Sequence, residues 1–247
     1  MIRYNRGMDE ATAAVLLRLN RQFYQTFASQ FSATRRRLQP GIQRLLPFLV
    51  QVNSILDLGC GNGELAHQLA DAGFNGSYTG LDFSERMLAE TQLRLSVGAT
   101  IQLIQVDLGE LGWDASLTED SFQAVTAFAV LHHLPGIERR MNVLQSVRRL
   151  VNCSGRVILS NWQFLNSTRL KARIQPWERA GLSQDLVDPG DYLLDWRQGG
   201  SGLRYAHNFT EEELARLAQQ TSFEVIESYL FDGENGRSGL YQIWKPV

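Results

Sequence analysis

The 247-residue sequence predicts an α/β fold: an open, largely parallel sheet with helices on both faces, an amino-terminal helical lid and an insertion after the fifth strand. Three observations predict it. Apolar runs of strand length alternate with stretches at helical spacing. Four of the runs lead into polar residues, at Asp57, Asp82, Asp107 and His132. At 44% hydrophobic and 20% charged residues, the chain can bury one sizeable core.

Residues 9–50 read as helical, broken by Pro40 and Pro47. Tyr24, Phe27 and Phe31 recur there at helical spacing, ahead of Thr34-Arg35-Arg36-Arg37. That stripe fits a core-facing helix with a solvated basic turn, or a lid closing over a ligand through Tyr24 or Arg35. Val52, Ile55, Leu56 and Leu58 supply the first strand, and Leu65, Ala66, Leu69 and Ala70 the helix after it. Gly59, Gly61 and Gly63 lie in the turn between, where glycine tolerates positive φ and lets the backbone approach a ligand closely. Cys60, inside that turn, reads as a small filler. The second strand runs from Ser77 to Asp82 with Phe83 next, and the third, Ile101 to Val106, ends in Asp107-Leu108. The fourth, Ala124 to Leu131, passes Ala129 and leads into His132-His133-Leu134. Side chains alternate along a strand, so if it extends that far one histidine alone faces the site, and His132 is the expected one.

Residues 136–151 form an amphipathic helix and Gly155 to Ser160 a fifth strand. Residues 162–208 then break the rhythm. Thr210 with Glu213 makes a capping-box start for a further helix. Phe223 to Leu230 and Leu240 to Lys245 close the chain as two hairpin-like strands. The insertion interleaves Trp162, Phe164, Trp177, Tyr192, Trp196, Tyr205 and His207 with cations, including Arg169, Lys171, Arg179 and Arg204. Such a mixture suits stacked bases and phosphates, or a small satellite core with a solvated rim.

Ligands of open parallel sheets bind at the carboxyl ends of the strands, which is where these polar residues gather. Asp82 stands about twenty residues past the glycines, where doubly wound folds place the carboxylate that binds ribose hydroxyls. Glu64 is unfavourable beside a pyrophosphate and tolerable beside a zwitterion. The Asp57 to Gly63 loop, with Glu64, Asp82 and Asp107, resembles the cofactor site of class I S-adenosylmethionine-dependent methyltransferases, which have a seven-stranded Rossmann-like sheet. The resemblance implies S-adenosyl-L-methionine as cofactor, held by Asp57, Gly59, Cys60, Gly61, Gly63, Asp82, Phe83, Asp107, Leu108 and Ala129. Phe83 would pack on the adenine, Asp107 read its amino group, and Tyr24 and Arg35 close over the methionine carboxylate. One domain is expected, with a lid at 1–50, a cofactor-binding half at 51–161, an acceptor cap at 162–208 and closing elements at 209–247.

A narrower resemblance covers most of the chain. Phe31-Ser32-Ala33-Thr34-Arg35, the glycine loop, Val130-Leu131-His132-His133-Leu134 and the stretch from Arg204 to Leu214 are similar to the tRNA wobble-uridine carboxymethyl methyltransferases, including the module fused to some AlkB-type hydroxylases. That family methylates the carboxylate of a 5-carboxymethyl group. The chain departs from it at Asp195, where the family has proline before the tryptophan, and at Ala206, where a second tyrosine is usual. Arg204, His207 and Trp196 are the expected acceptor contacts, arginine being suited to bidentate carboxylate binding. A carboxylate acceptor is already ionised at neutral pH and needs no base. A hydroxyl or amine acceptor needs one, and His132 is the catalytic candidate.

The acceptor thus stays open between a tRNA and a small molecule, with a non-catalytic partner subunit as a third reading and an activating partner protein compatible with all three. A formal net charge of −2 gives no global basic field for nucleic acid. Cys60 and Cys153 form neither a metal-ligand spacing nor a disulfide framework, so no metal and a reducing, cytoplasmic setting are expected. No apolar run approaches a membrane span, and no membrane partner is expected.

Overall fold

The computed structural model describes residues 7–33, 37–94, 100–197 and 199–247. Helix α1 (Glu10–Ala33) is followed by the short helices α2 (Pro40–Gln43) and α3 (Leu46–Leu49), each with a proline in its first turn. Proline lacks an N–H and has a preset φ, so it starts a helix without losing a hydrogen bond. Strands β1 (Ser54–Leu58), β2 (Ser77–Asp82), β3 (Thr100–Gln105) and β4 (Phe122–Phe128) alternate with α4 (Glu64–Asp71) and α5 (Glu85–Arg94). Then come α6 (Ile137–Leu150), β5 (Val151–Trp162), α7 (Thr168–Lys171), β6 (Ile174–Gln175), β7 (Asp191–Trp196), β8 (Gly202–His207), α8 (Glu211–Gln220), β9 (Phe223–Phe231) and β10 (Gly239–Pro246).

Seven strands form one sheet in the order β3-β2-β1-β4-β5-β10-β9. β1 to β5 pair in parallel, and β10 runs antiparallel between β5 and β9, so the expected closing hairpin is present with its last strand innermost. Alternation along the strands builds two cores. Leu56, Val157 and Leu159 face α6 and α8 through Val143, Leu144, Leu214 and Leu217. Ile55 and Ile158 face the other way, onto Ile42, Leu49, Leu65 and Leu69. Both faces are covered, as parallel strands require.

The insertion, where the strand–helix rhythm breaks, contains a second sheet, β6-β7-β8. Its rings are core residues. Trp177 and Tyr205 are buried with Leu16 of α1, and Trp196 with Phe23 and Phe27. The satellite-core reading of the insertion therefore holds for these rings, and they are not presented for base stacking. α1 lies against β8, kinked at Phe27, whose φ of −108° and ψ of 17° leave the helical region. No helix among the described residues is long and apolar enough to cross a membrane.

Candidate active site

The carboxyl ends of β1, β2 and β4, the segments after β3 and β4, and the inner side of α1 enclose a cavity of about 230 Å³. The glycine loop forms its floor. Gly61 has φ +58°, and the place a Cβ would take there is open, with no atom within 4 Å. A ligand can therefore lie directly against the backbone. Gly63 differs: a Cβ there would stand 2.2 Å from Thr91 Cγ2, and the residue does not border the cavity. Its expected cofactor contact becomes a packing role, letting the loop close onto α5 and starting α4 with φ +72°.

Asp57 is buried and spans three strands, accepting from Tyr78 Oη of β2 at 2.5 Å and Thr126 Oγ1 of β4 at 2.6 Å. Burial pushes its carboxyl up to about 6, against the pull of those two hydroxyls. Asp82 accepts from Gly61 N at 3.0 Å and Ser84 N at 2.8 Å, which ties β2 to the loop. Burial also raises Asp82 to about 6. Cys60 is buried with its thiol pushed well up, chiefly by burial, which rules it out as a thiolate. Phe83, Leu108 and Ala129 border the cavity. Ala129 adopts φ +60°, a strained conformation for a residue with a side chain, and its N–H donates to Ser160 at the end of β5.

Asp107 borders the cavity too, and Arg21 of α1 meets it. The same guanidinium reaches Glu110 at 2.5 Å, so α1 is pinned across the end of β3. Tyr24, one turn further, stands over Phe83 with ring centroids 6.1 Å apart. Its hydroxyl lies 2.7 Å from His133 Nε2, while His133 Nδ1 lies 3.2 Å from the Tyr205 carbonyl. A carbonyl only accepts, so Nδ1 carries the proton and, in the neutral ring, Nε2 accepts from Tyr24. Both histidines border the cavity, contrary to expectation, because β4 stops at Phe128 and Leu131–His133 is a 3₁₀ turn without strand alternation. His132 is buried, with Nδ1 3.4 Å from both Asn161 Oδ1 and the Trp162 N–H.

Of the expected acceptor contacts, Arg204 borders the cavity, buried against Trp162 at 4.2 Å and Trp196 at 5.5 Å from the ring centroids. Trp196 and His207 do not border it. Trp196 forms the back of the Arg204 box, packed on Phe23. His207 is buried between two carboxylates, with Nδ1 2.6 Å from Asp191 and Nε2 2.9 Å from Glu213. An imidazolium alone can donate from both nitrogens, so with Arg140 the cluster balances two negative charges by two positive ones. Arg35 lies outside the described residues. Arg21, His133 and Asn161 are the residues that sequence reasoning missed. Asn161 stands at the end of β5, where the strand-end rule that selected Asp57 and Asp82 could have found it.

The sheet order, the open place at Gly61 and the acids at successive strand ends are those of the class I S-adenosylmethionine-dependent methyltransferase fold. The acid-rich cavity fits a cationic cofactor. Residues 55–155 match the family model described as a methyltransferase domain. The chain carries that domain and is an S-adenosylmethionine-dependent methyltransferase, with S-adenosyl-L-methionine as its cofactor. Among relatives, a protein of Encephalitozoon cuniculi that bears a methyltransferase name is 28% identical over 207 residues, 83% of this chain and 87% of that one. The ubiquinone biosynthesis O-methyltransferase of Dechloromonas aromatica is 35% identical over 174 residues, 70% of this chain and 65% of that one. Mouse tRNA (carboxymethyluridine(34)-5-O)-methyltransferase ALKBH8 is 28% identical over 141 residues, 57% of this chain and 19% of that one. The fold is shared with Burkholderia thailandensis 1,6-didemethyltoxoflavin-N1-methyltransferase at TM-score 0.63 and 17% identity, over 100% of this chain and 98% of that one.

Proposed function

We propose that the enzyme transfers methyl to a carboxylate, that of a modified uridine in tRNA. The observation that carries this reading is Arg204, a buried cation bordering the cavity beside His132 and Trp162. A cation there orients an anionic acceptor. Arg169, Lys171 and Arg179 are exposed on the insertion, where each can meet a phosphate. The similarity to ALKBH8 supports the same acceptor.

Bound cofactor supplies a methyl group on a positively charged sulfur, already activated for in-line displacement. The chain's share is positioning and exclusion of water. Gly61, Asp82 and Asp107 would hold the nucleoside part of the cofactor, with Tyr24 standing over Phe83. The acceptor carboxylate needs no proton removed, so His132 acts as a wall.

The likeness to the ubiquinone enzyme favours a second reading, transfer to a small-molecule hydroxyl, with His132 taking the proton. Labelled-methyl transfer across tRNA and metabolite fractions separates the two. Label in carboxymethyl-uridine tRNA, lost in Arg204→Lys with cofactor affinity intact, supports the first. Label confined to metabolites overturns it.

A further inference from the structure

A second cavity, about 610 Å³, opens beside the first. Gln39, Ala129, Ser160 and Trp162 border both, so the two chambers meet at the strained Ala129. The second is roomy enough for a nucleoside. Asn161 borders this chamber and not the first, while His132 borders the first and not this one. One end of the Asn161 amide meets His132. The other, Nδ2, has no hydrogen-bond partner among the described residues, although the residue is 1% exposed. A buried amide end without a partner is costly, and a polar group bound in the chamber would complete it.

We infer that the second chamber is the acceptor's base subsite: it holds the pyrimidine ring of the acceptor, hydrogen-bonded by the Asn161 amide and flanked by Trp162. The inference rests on the modified-uridine reading above. A uracil edge alternates carbonyl and N–H, so it matches the amide in either orientation. From there a substituent on the ring reaches the junction at Ala129 and, past Trp162, Arg204. Of the acids at the rim, Asp232 is engaged by Gly41 N at 2.8 Å and Tyr241 Oη, and Glu234 is exposed. Arg169 borders the same chamber and is the cation available there to the phosphates of the attached ribose.

The test is calorimetric titration of 5-carboxymethyluridine nucleoside into protein saturated with S-adenosylhomocysteine. Asn161→Leu is expected to weaken nucleoside binding about tenfold, the cost of one buried hydrogen bond. Thr168→Trp, which fills the mouth from an exposed position, is expected to abolish it. Both variants should bind S-adenosylhomocysteine as the unaltered protein does. Arg169→Ala should leave the nucleoside unaffected and lower the affinity for tRNA, with a shallower salt dependence. Equal nucleoside affinity in all variants, or no binding to the unaltered protein, overturns the subsite. Nucleoside binding sensitive to Asn161, with no label reaching tRNA in the transfer assay, overturns the acceptor reading and leaves the subsite standing.

Discussion

The Asp82 carboxylate ties the glycine loop to β2, and it is the group proposed to accept from the ribose hydroxyls. Asp82→Ala is therefore expected to weaken S-adenosylmethionine binding, of micromolar order, by about tenfold or more. Calorimetry showing unchanged affinity would remove the residue from the ribose role. Because burial raises the carboxyl to about 6, hydroxyl donation to the ionised form fades as the pH falls below that value. Cofactor affinity should fall between pH 7 and 5, and Asp82→Asn should flatten the profile. Asp57 titrates in the same range, but its two hydroxyl partners give it a structural part. The acids were legible in the sequence because each follows an apolar run. Their protonation was not, since it depends on burial among residues from three strands.

At the scale of elements, one buried amide, that of Asn20, ties α1 to β8 and to the turn after β4. Asn20 Nδ2 donates to the carbonyls of His133 and Tyr205 at 3.2 Å, and its Oδ1 accepts from Tyr205 N at 2.8 Å. Asn20→Leu removes the partner of the Tyr205 N–H and a donor to the His133 and Tyr205 carbonyls, at a cost of about 1–3 kcal/mol. Denaturant unfolding measures that cost, and faster hydrogen exchange across α1 and β8 locates it. The Asp191, His207, Arg140 and Glu213 cluster fastens β7 and β8 to α6 and α8. Burial works to raise Glu213, and the His207 and Arg140 contacts outweigh it, holding its carboxyl below the ordinary value. Asp191→Ala strands the cations and should cost about 3–5 kcal/mol by denaturant melt. His207 looked like an acceptor ligand in sequence because an aromatic–basic stretch surrounds it. Its carboxylate partners sit 16 and 6 positions away in the chain; the β7–β8 register brings Asp191 to it, and the first turn of α8 brings Glu213.

For the whole molecule, Asp57 and Asp82 tie stability to pH. Both rise from 3.8 to about 6 on folding, so the folded state binds protons that the unfolded chain releases between those values. Their contribution to stability is greatest below that window and declines as the pH rises through it. The melting temperature of Asp57→Asn relative to that of the unaltered protein should accordingly rise from pH 5 to 7.5. A difference constant with pH would show that another group governs the profile.

The sequence by itself determined the alternating parallel sheet, the glycine turn and the acids at its strand ends, because strand period, turn chemistry and the strand-end rule are local. Tertiary structure decided the rest. It made the insertion's rings a satellite core, turned both histidines to the cavity after β4 stopped short, brought Arg21 onto Asp107, and set Asn161 at a second chamber. Each of these depends on where distant segments pack, and side-chain type alone does not encode which surface another element will cover.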